Sequence, residues 1–260
     1  MPHTDLTTWL EIDLAAIRRN IQQMQTITTR PVMAIIKANG YGHGLVEVAR
    51  AAQDAGCAWV GVARFEEALA VRRAGLGLNI LVLGYAAPPC AGEAAARNIT
   101  LTVYDLDVAN QYAARARAAG HILNVHAKFD TGMSRLGIFP EDGVPFMQQL
   151  SAIPGLCVQG MFTHFARSDE AERVTTIWQN ERFSALVTAL NAAGLRPALV
   201  HAANSAAALY FPGAHYDIVR SGIAIYGLQP SDEAPLPPGF TPALTWKARL
   251  SSVKIIPPAQ

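Results

Sequence analysis

Short apolar runs alternate along most of the chain with longer alanine-rich stretches whose apolar residues recur three and four positions apart. The runs read as buried strands of a parallel sheet, and the longer stretches as amphipathic helices. Strands are expected over residues 32–36, 59–62, 80–83, 99–103, 123–129, 158–163, 198–201 and 218–220, and helices over 45–55, 65–74, 108–118 and 178–193. The helices end on a recurring Ala-Gly pair, at Ala55-Gly56, Ala74-Gly75, Ala119-Gly120 and Ala193-Gly194. Glycine there can take the left-handed conformation that stops a helix before the next strand. Eight strands with helices between them predict an α/β fold, a (β/α)8 TIM barrel, with an open doubly wound sheet as the alternative.

Both ends of the chain break this rhythm. Residues 8–13 alternate Trp9 and Leu10 with polar neighbours, ahead of a helix over 14–27 for which Asp13 is the expected N-cap. Residues 231–242 are rich in proline and read as a linker, after which residues 243–256 return to strand character. The expected division is therefore residues 1–13, a strand belonging with a second, β-rich domain; 14–230, the barrel; 231–242, the linker; and 243–260, the start of that second domain, whose remainder would lie beyond Gln260. Exposed strand edges seek partners, so the two end strands should pair with each other or with another chain.

Composition narrows the function. The 260 residues are 51% hydrophobic and 16% charged, enough for a large core, and the net charge of +1 is spread evenly. No electrostatic footprint for nucleic acid or an anionic membrane results. The opening MPHTDLTTWLEIDL lacks the layout of a secretory signal, and no stretch has the length and apolarity of a membrane span. A cytoplasmic protein working on a small molecule is expected. Cys57, Cys90 and Cys157 are odd in number and widely spaced, which suggests neither a disulfide framework nor a metal site.

Candidate chemistry begins at Lys37, which follows the apolar run VMAII and opens KANGYGHG. That is the carboxyl end of the first barrel strand, where barrel enzymes carry their sites. A lysine there can form an imine with an aldehyde cofactor if part of its amine stays uncharged, and it can equally reach solvent beside a glycine turn. KANGYGHG has neither the GxGxxG spacing nor the GK[ST] ending of a nucleotide loop. Further along, KFDTGMSRLG (128–137), MFTHFA (161–166), HAANSAA (201–207) and YDIVRSGIAIYG (216–227) fall at the ends of the expected fifth to eighth strands.

KANGYGHG and KFDTGMSRLG together resemble the alanine racemase family, pyridoxal-phosphate enzymes with an N-terminal barrel and a C-terminal β-domain, and the resemblance covers almost the whole chain. It implies an isomerase that converts L-alanine to D-alanine for peptidoglycan, with pyridoxal 5'-phosphate held by Lys37 as an imine. Arg135 would contact the cofactor's phenolic oxygen and lie near the substrate carboxylate; Lys128 matches a lysine that is often carbamylated and braces that arginine. For Lys128 the ordinary alternative is an ion pair with Asp130 or Glu141. Arg220 would sit under the pyridine nitrogen and, unable to give up its proton, leave it unprotonated; His164 would orient that arginine. Phosphate is expected at the last strands, on Asn204, Ser205, Gly222 and Ile223, with the Tyr41 hydroxyl added by resemblance and Tyr226 nearby. Asn204 also reads as a helix N-cap.

Racemisation needs two bases on opposite faces of the substrate, and Lys37 supplies one. The resemblance puts the other, a tyrosine, in the β-domain of a partner subunit, so the complete enzyme would be a homodimer and this chain would racemise poorly. His43, Tyr85 and Tyr104 are not supported as substitutes. Two other readings stand beside this one. One is a barrel-only pyridoxal-phosphate-binding protein of cofactor homeostasis. The other is a decarboxylase or aldolase of the same fold, which Arg220 disfavours where an acidic partner would be expected. Alanine, serine or another amino acid is left open as substrate.

Overall fold

Ten strands and nine α-helices, with four short 3-10 turns between them, follow one another in the computed structural model, which describes residues 6–258. The first half of the chain runs β1 (Thr8–Ile12), α1 (Leu14–Thr28), β2 (Val32–Ile35), α2 (Lys37–Tyr41), α3 (Leu45–Asp54), β3 (Trp59–Val62), α4 (Phe65–Arg73), β4 (Asn79–Val82), α5 (Ala91–Ala96), β5 (Ile99–Val103) and α6 (Leu106–Ala118). The second half runs β6 (Leu123–Lys128), α7 (Gly143–Ser151), β7 (Leu156–Phe162), α8 (Val174–Ala192), β8 (Leu199–His201), α9 (Ser205–Tyr210), β9 (Val219–Ser221) and β10 (Leu244–Ala248).

Eight strands form one parallel sheet in the order β8-β7-β6-β5-β4-β3-β2-β9. Two backbone bonds bring its ends together, from Asp217 N to Val200 O (3.1 Å) and from Arg220 N to Ala203 O (3.0 Å), so the sheet wraps into a (β/α)8 barrel rather than an open doubly wound sheet. Side-chain alternation along the strands then separates two apolar bodies. Met33, Ile35, Trp59, Leu81 and Ile218 fill the barrel interior, whereas Val32, Ala34, Val60, Ile80 and Val82 face the surrounding helices.

Local chemistry explains the boundaries. Asp13 caps α1 as expected, its Oδ1 accepting from Ala16 N at 2.9 Å. The four Ala-Gly stops hold, with φ between +68° and +85° at Gly56, Gly75, Gly120 and Gly194. Helix α6 starts two residues before the expected Val108, because Asp105 caps it by accepting from Val108 N. Helix α8 starts at Val174 rather than Trp178, and its first turn exposes Val174 and Ile177, which conceals the helical period. The short helices α5 and α7 have no counterpart among the expected helices, whereas α9 follows the N-cap expected at Asn204.

The chain ends pair with each other. β1 and β10 form a two-stranded antiparallel sheet in register from Thr8↔Ala248 to Ile12↔Leu244. Strand character was expected through residue 256, but the ladder stops where β1 runs out, after one further bond from Arg249 N to Thr7 O. Residues 1–5 and 259–260, the outer ends of the two end pieces, lie outside the described residues. The proline-rich segment lies along the barrel. Asn20 exchanges bonds with Thr241, Tyr210 donates to Pro235 O, and Ala243 N donates to Tyr226 O. Among the described residues no helix is long and apolar enough to cross a membrane.

Candidate active site

A cavity of about 540 Å³ opens at the carboxyl ends of the barrel strands. Lys37, Tyr41, Lys128, Arg135, His164, Asn204, Ser205, Arg220, Gly222 and Ile223 all line it, so every residue singled out for chemistry from the sequence meets at one place. Tyr226 lies behind it, fully buried, with its hydroxyl donating to Ile35 O at 3.1 Å.

The turn that presents Lys37 is left-handed. Ala38, Asn39, Gly40 and Tyr41 all have φ between +52° and +62°, and only one of them is glycine. A non-glycine residue there costs about 1–2 kcal/mol, so other groups must hold the turn. Asn39 Oδ1 accepts from Leu45 N (3.0 Å), and His43 Nδ1 donates to Gly40 O and Tyr41 O (3.1 and 3.0 Å). The His43 ring also rests on Tyr226, centroids 4.5 Å apart. His43 is therefore a structural brace of its own motif.

Arg220 is held from all sides. Its guanidinium donates to His201 Nδ1, Thr163 O and Ala202 O, each at 2.8 Å, and to His164 Nδ1 at 3.3 Å. Because a guanidinium only donates, both histidines must accept through Nδ1 and carry their proton on Nε2. His201 then donates from Nε2 to His126 Nδ1 (2.9 Å), which fixes the same tautomer one residue deeper. Burial and the Arg220 charge hold His126 at about 3 and His201 well below its ordinary value. Burial, then the charges of Arg220, Arg135, Lys128 and Lys37, bring His164 to about 3. Burial lowers Arg220 to about 9, which leaves it a cation at neutral pH. Phe162 stacks on His201 (4.9 Å, 8°) and offers its ring to both Arg220 and Lys128 at 5.4 and 5.3 Å.

The loop after β6 is built differently. Asp130 Oδ1 accepts from Gly132 N and Ser134 N (2.9 and 3.0 Å), shaping the turn that carries Arg135 to the cavity mouth. Glu141 is engaged by Arg182 at 2.7 Å. Neither carboxylate forms an ion pair with Lys128, and among the described residues none does. Burial and then the nearby Arg135 charge pull Lys128 down to about 8. Two cations cannot brace each other.

On the far side, Asn204 caps α9, its Oδ1 accepting from Ala207 N (3.1 Å) and Ser168 Oγ (2.8 Å). Ser205 Oγ accepts from Gly222 N at 3.0 Å and from Ala224 N at 3.4 Å. A side chain at 222 would put its Cβ 2.8 Å from the Tyr41 hydroxyl, so glycine leaves that hydroxyl its place in the cavity.

His126, His201, Phe162 and Glu67 were not singled out from the sequence. A signal existed for His126, which lies two residues before Lys128 in β6 and so shares its face of the strand.

The family model described as alanine racemase, N-terminal domain, matches residues 12–230. An alanine racemase from Desulfovibrio desulfuricans is 43% identical over 98% of this chain and 69% of its own length. The solved alanine racemase of Streptomyces coelicolor A3(2) superposes with a TM-score of 0.92 at 36% identity, over 97% of this chain and 69% of that one. A histidine racemase from Leuconostoc mesenteroides gives a TM-score of 0.87 at 33% identity, over 97% and 68%. The chain thus spans about two thirds of the length of these relatives.

Proposed function

Because this chain belongs to the alanine racemase family, we propose that its barrel is the cofactor-holding part of an amino-acid racemase that interconverts L- and D-alanine. We infer pyridoxal 5'-phosphate as the cofactor. When bound, it supplies an aldehyde carbon that captures amines and a conjugated ring that draws electrons from a captured amino acid's α-carbon.

One observation carries the reading: Lys37, just after β2, and Arg220, on the neighbouring strand β9, line the same cavity. The Ser205 hydroxyl, which accepts from Gly222 N and keeps its own proton to donate, supports the fit together with the Tyr41 hydroxyl close to Gly222, since two hydroxyls in one cavity suit a phosphate. In this reading Lys37 holds the cofactor covalently and carries the α-proton on its own side of the substrate. Tyr41, Asn204, Ser205, Gly222 and Ile223 hold the phosphate. Arg220, a cation with no proton to spare, faces the ring nitrogen, and His164 keeps it there. Arg135 meets the phenolic oxygen and the substrate carboxylate.

Lys128 takes up carbon dioxide in this reading: its neutral amine attacks the carbon, loses a proton and becomes an anionic carbamate that can accept from Arg135. With the group held at about 8, roughly a tenth of it is neutral at pH 7. Inversion needs a second proton carrier on the opposite face, which we place in a β-domain of a partner subunit, beginning with residues 243–260. The histidine racemase match means that alanine rests on the curated relatives, not on the cavity.

The test is to saturate the protein with pyridoxal 5'-phosphate, reduce it with borohydride and locate the added mass. It is expected on Lys37 and absent from Lys37→Ala. Added mass on another lysine, or none on an intact Lys37, would overturn the assignment.

A further inference from the structure

The carboxylate of Glu67, in the first turn of α4, is only 8% exposed and forms no ion pair among the described residues. Backbone N–H groups satisfy it instead. Oε1 accepts from Ala38 N (2.6 Å) and Asn39 N (3.4 Å), the first two residues of the left-handed turn. Oε2 accepts from Ala63 N (2.8 Å) and Arg64 N (3.2 Å), at the end of β3 and the start of its own helix. One buried anion therefore ties the backbone directly after Lys37 to the neighbouring strand of the barrel.

The turn requires such a tie. Ala38 and Asn39 hold φ of +53° and +55°, a conformation that L side chains disfavour, and their N–H groups find their acceptor in Glu67. A neutral acceptor would leave one N–H pair weakly bound, whereas a carboxylate offers both oxygens as charge-assisted acceptors. The position of Glu67 in the first turn of α4 further favours its negative charge. We propose that Glu67 is a positioning residue: it clamps the left-handed turn and so fixes the direction in which Lys37 presents its amine to the cavity. The inference rests on the reading of Lys37 as the cofactor lysine.

The clamp is tested in the 260-residue chain with Glu67→Gln, with Glu66→Gln as control, and with Ala38→Gly added to Glu67→Gln. Glu66 sits in the same helical turn but is exposed, and among the described residues it has no hydrogen bond or ion pair to the lysine turn. Two readouts are taken: amide exchange at Ala38 and Asn39, and the rate at which pyridoxal 5'-phosphate becomes borohydride-fixed on Lys37. E67Q is expected to raise exchange and slow capture, each at least about tenfold, while E66Q changes neither. Glycine at 38 tolerates the left-handed conformation without a clamp, so Ala38→Gly should restore capture several-fold in E67Q, a rescue that general destabilisation would not give. Unchanged exchange at Ala38 and Asn39 in folded E67Q would overturn the clamp. Faster exchange with unaltered capture would overturn its effect on Lys37. A wild-type protein that fixes no cofactor on Lys37 sinks the functional reading instead, and the exchange comparison still decides whether Glu67 holds the turn.

Discussion

Two guanidinium groups face the same cavity and are built in opposite ways. Arg220 is 3% exposed and its N–H groups are claimed by two histidines and two carbonyls. Arg135 is exposed at the cavity mouth, carried by a loop that Asp130 shapes, and its charge bears on another cation, Lys128. The first arginine has its charge and direction set by the fold before anything enters the cavity. The second can adapt to whatever arrives. A site that must hold a ring rigidly while admitting and releasing a substrate needs both kinds, and the barrel supplies them from strands on different sides.

The contrast can be broken most directly by removing the fixed charge. Arg220→Met is expected to cost about 1–3 kcal/mol for each acceptor it leaves unpaired, namely His201 and two buried carbonyls, and urea unfolding would read it. A loss under about 1 kcal/mol would mean that the network does not hold the fold.

Acid should loosen the same side. His126 and His164 are held at about 3 in the folded protein against 6.5 when unfolded. The unfolded chain therefore binds more protons throughout that window, and stability falls as pH drops from 6.5 toward 3. Each group contributes a slope of up to about 1.4 kcal/mol per pH unit, measurable as the urea midpoint at pH 7 and pH 5. A flat profile would contradict the neutral tautomers assigned to the chain of histidines.

The comparison is sharpened at Lys128. Labelled bicarbonate should give a carbonyl resonance that strengthens as pH rises through about 8 and disappears in Lys128→Arg. No adduct at any pH would leave Arg135 without an anionic brace from this side. Smallest in stability is Arg135→Met, expected within about 0.5 kcal/mol of the parent while weakening pyridoxal 5'-phosphate binding about tenfold. Equal binding would remove Arg135 from the site.

Strands such as β2 and β3 were legible because each is a continuous apolar run, and the Ala-Gly stops between helices and strands carry a conformation that the sequence states directly. Helices α5 and α7 were not, since six to nine residues give too short a period to register, and those of α5 are nearly all alanine. Within the site, Lys37, Arg135 and Arg220 were readable from strings that place them at strand ends. The groups that hold them were hidden. His126 and His201 are 75 positions apart and meet only when β6 and β8 flank β7, and Glu67 finds its partners on a turn 29 positions earlier. A sequence states which residue is present, but a hydrogen bond between distant strands exists only once the sheet order does.

That order also has a temporal side. Strand β2, which leads into Lys37, takes β3 as one neighbour almost at once, but its other neighbour is β9, with Met33 beside Arg220. As the chain emerges from the ribosome, the lysine-bearing strand therefore remains an open edge until residue 219 has been made, and the β1 strand ahead of it waits longer still for Leu244. Contacts of such separation are the slow ones to form. The cavity wall shared by Lys37 and Arg220 is consequently among the last parts of the barrel to be completed, so an incompletely folded chain would carry the lysine without the arginine that lines the same cavity.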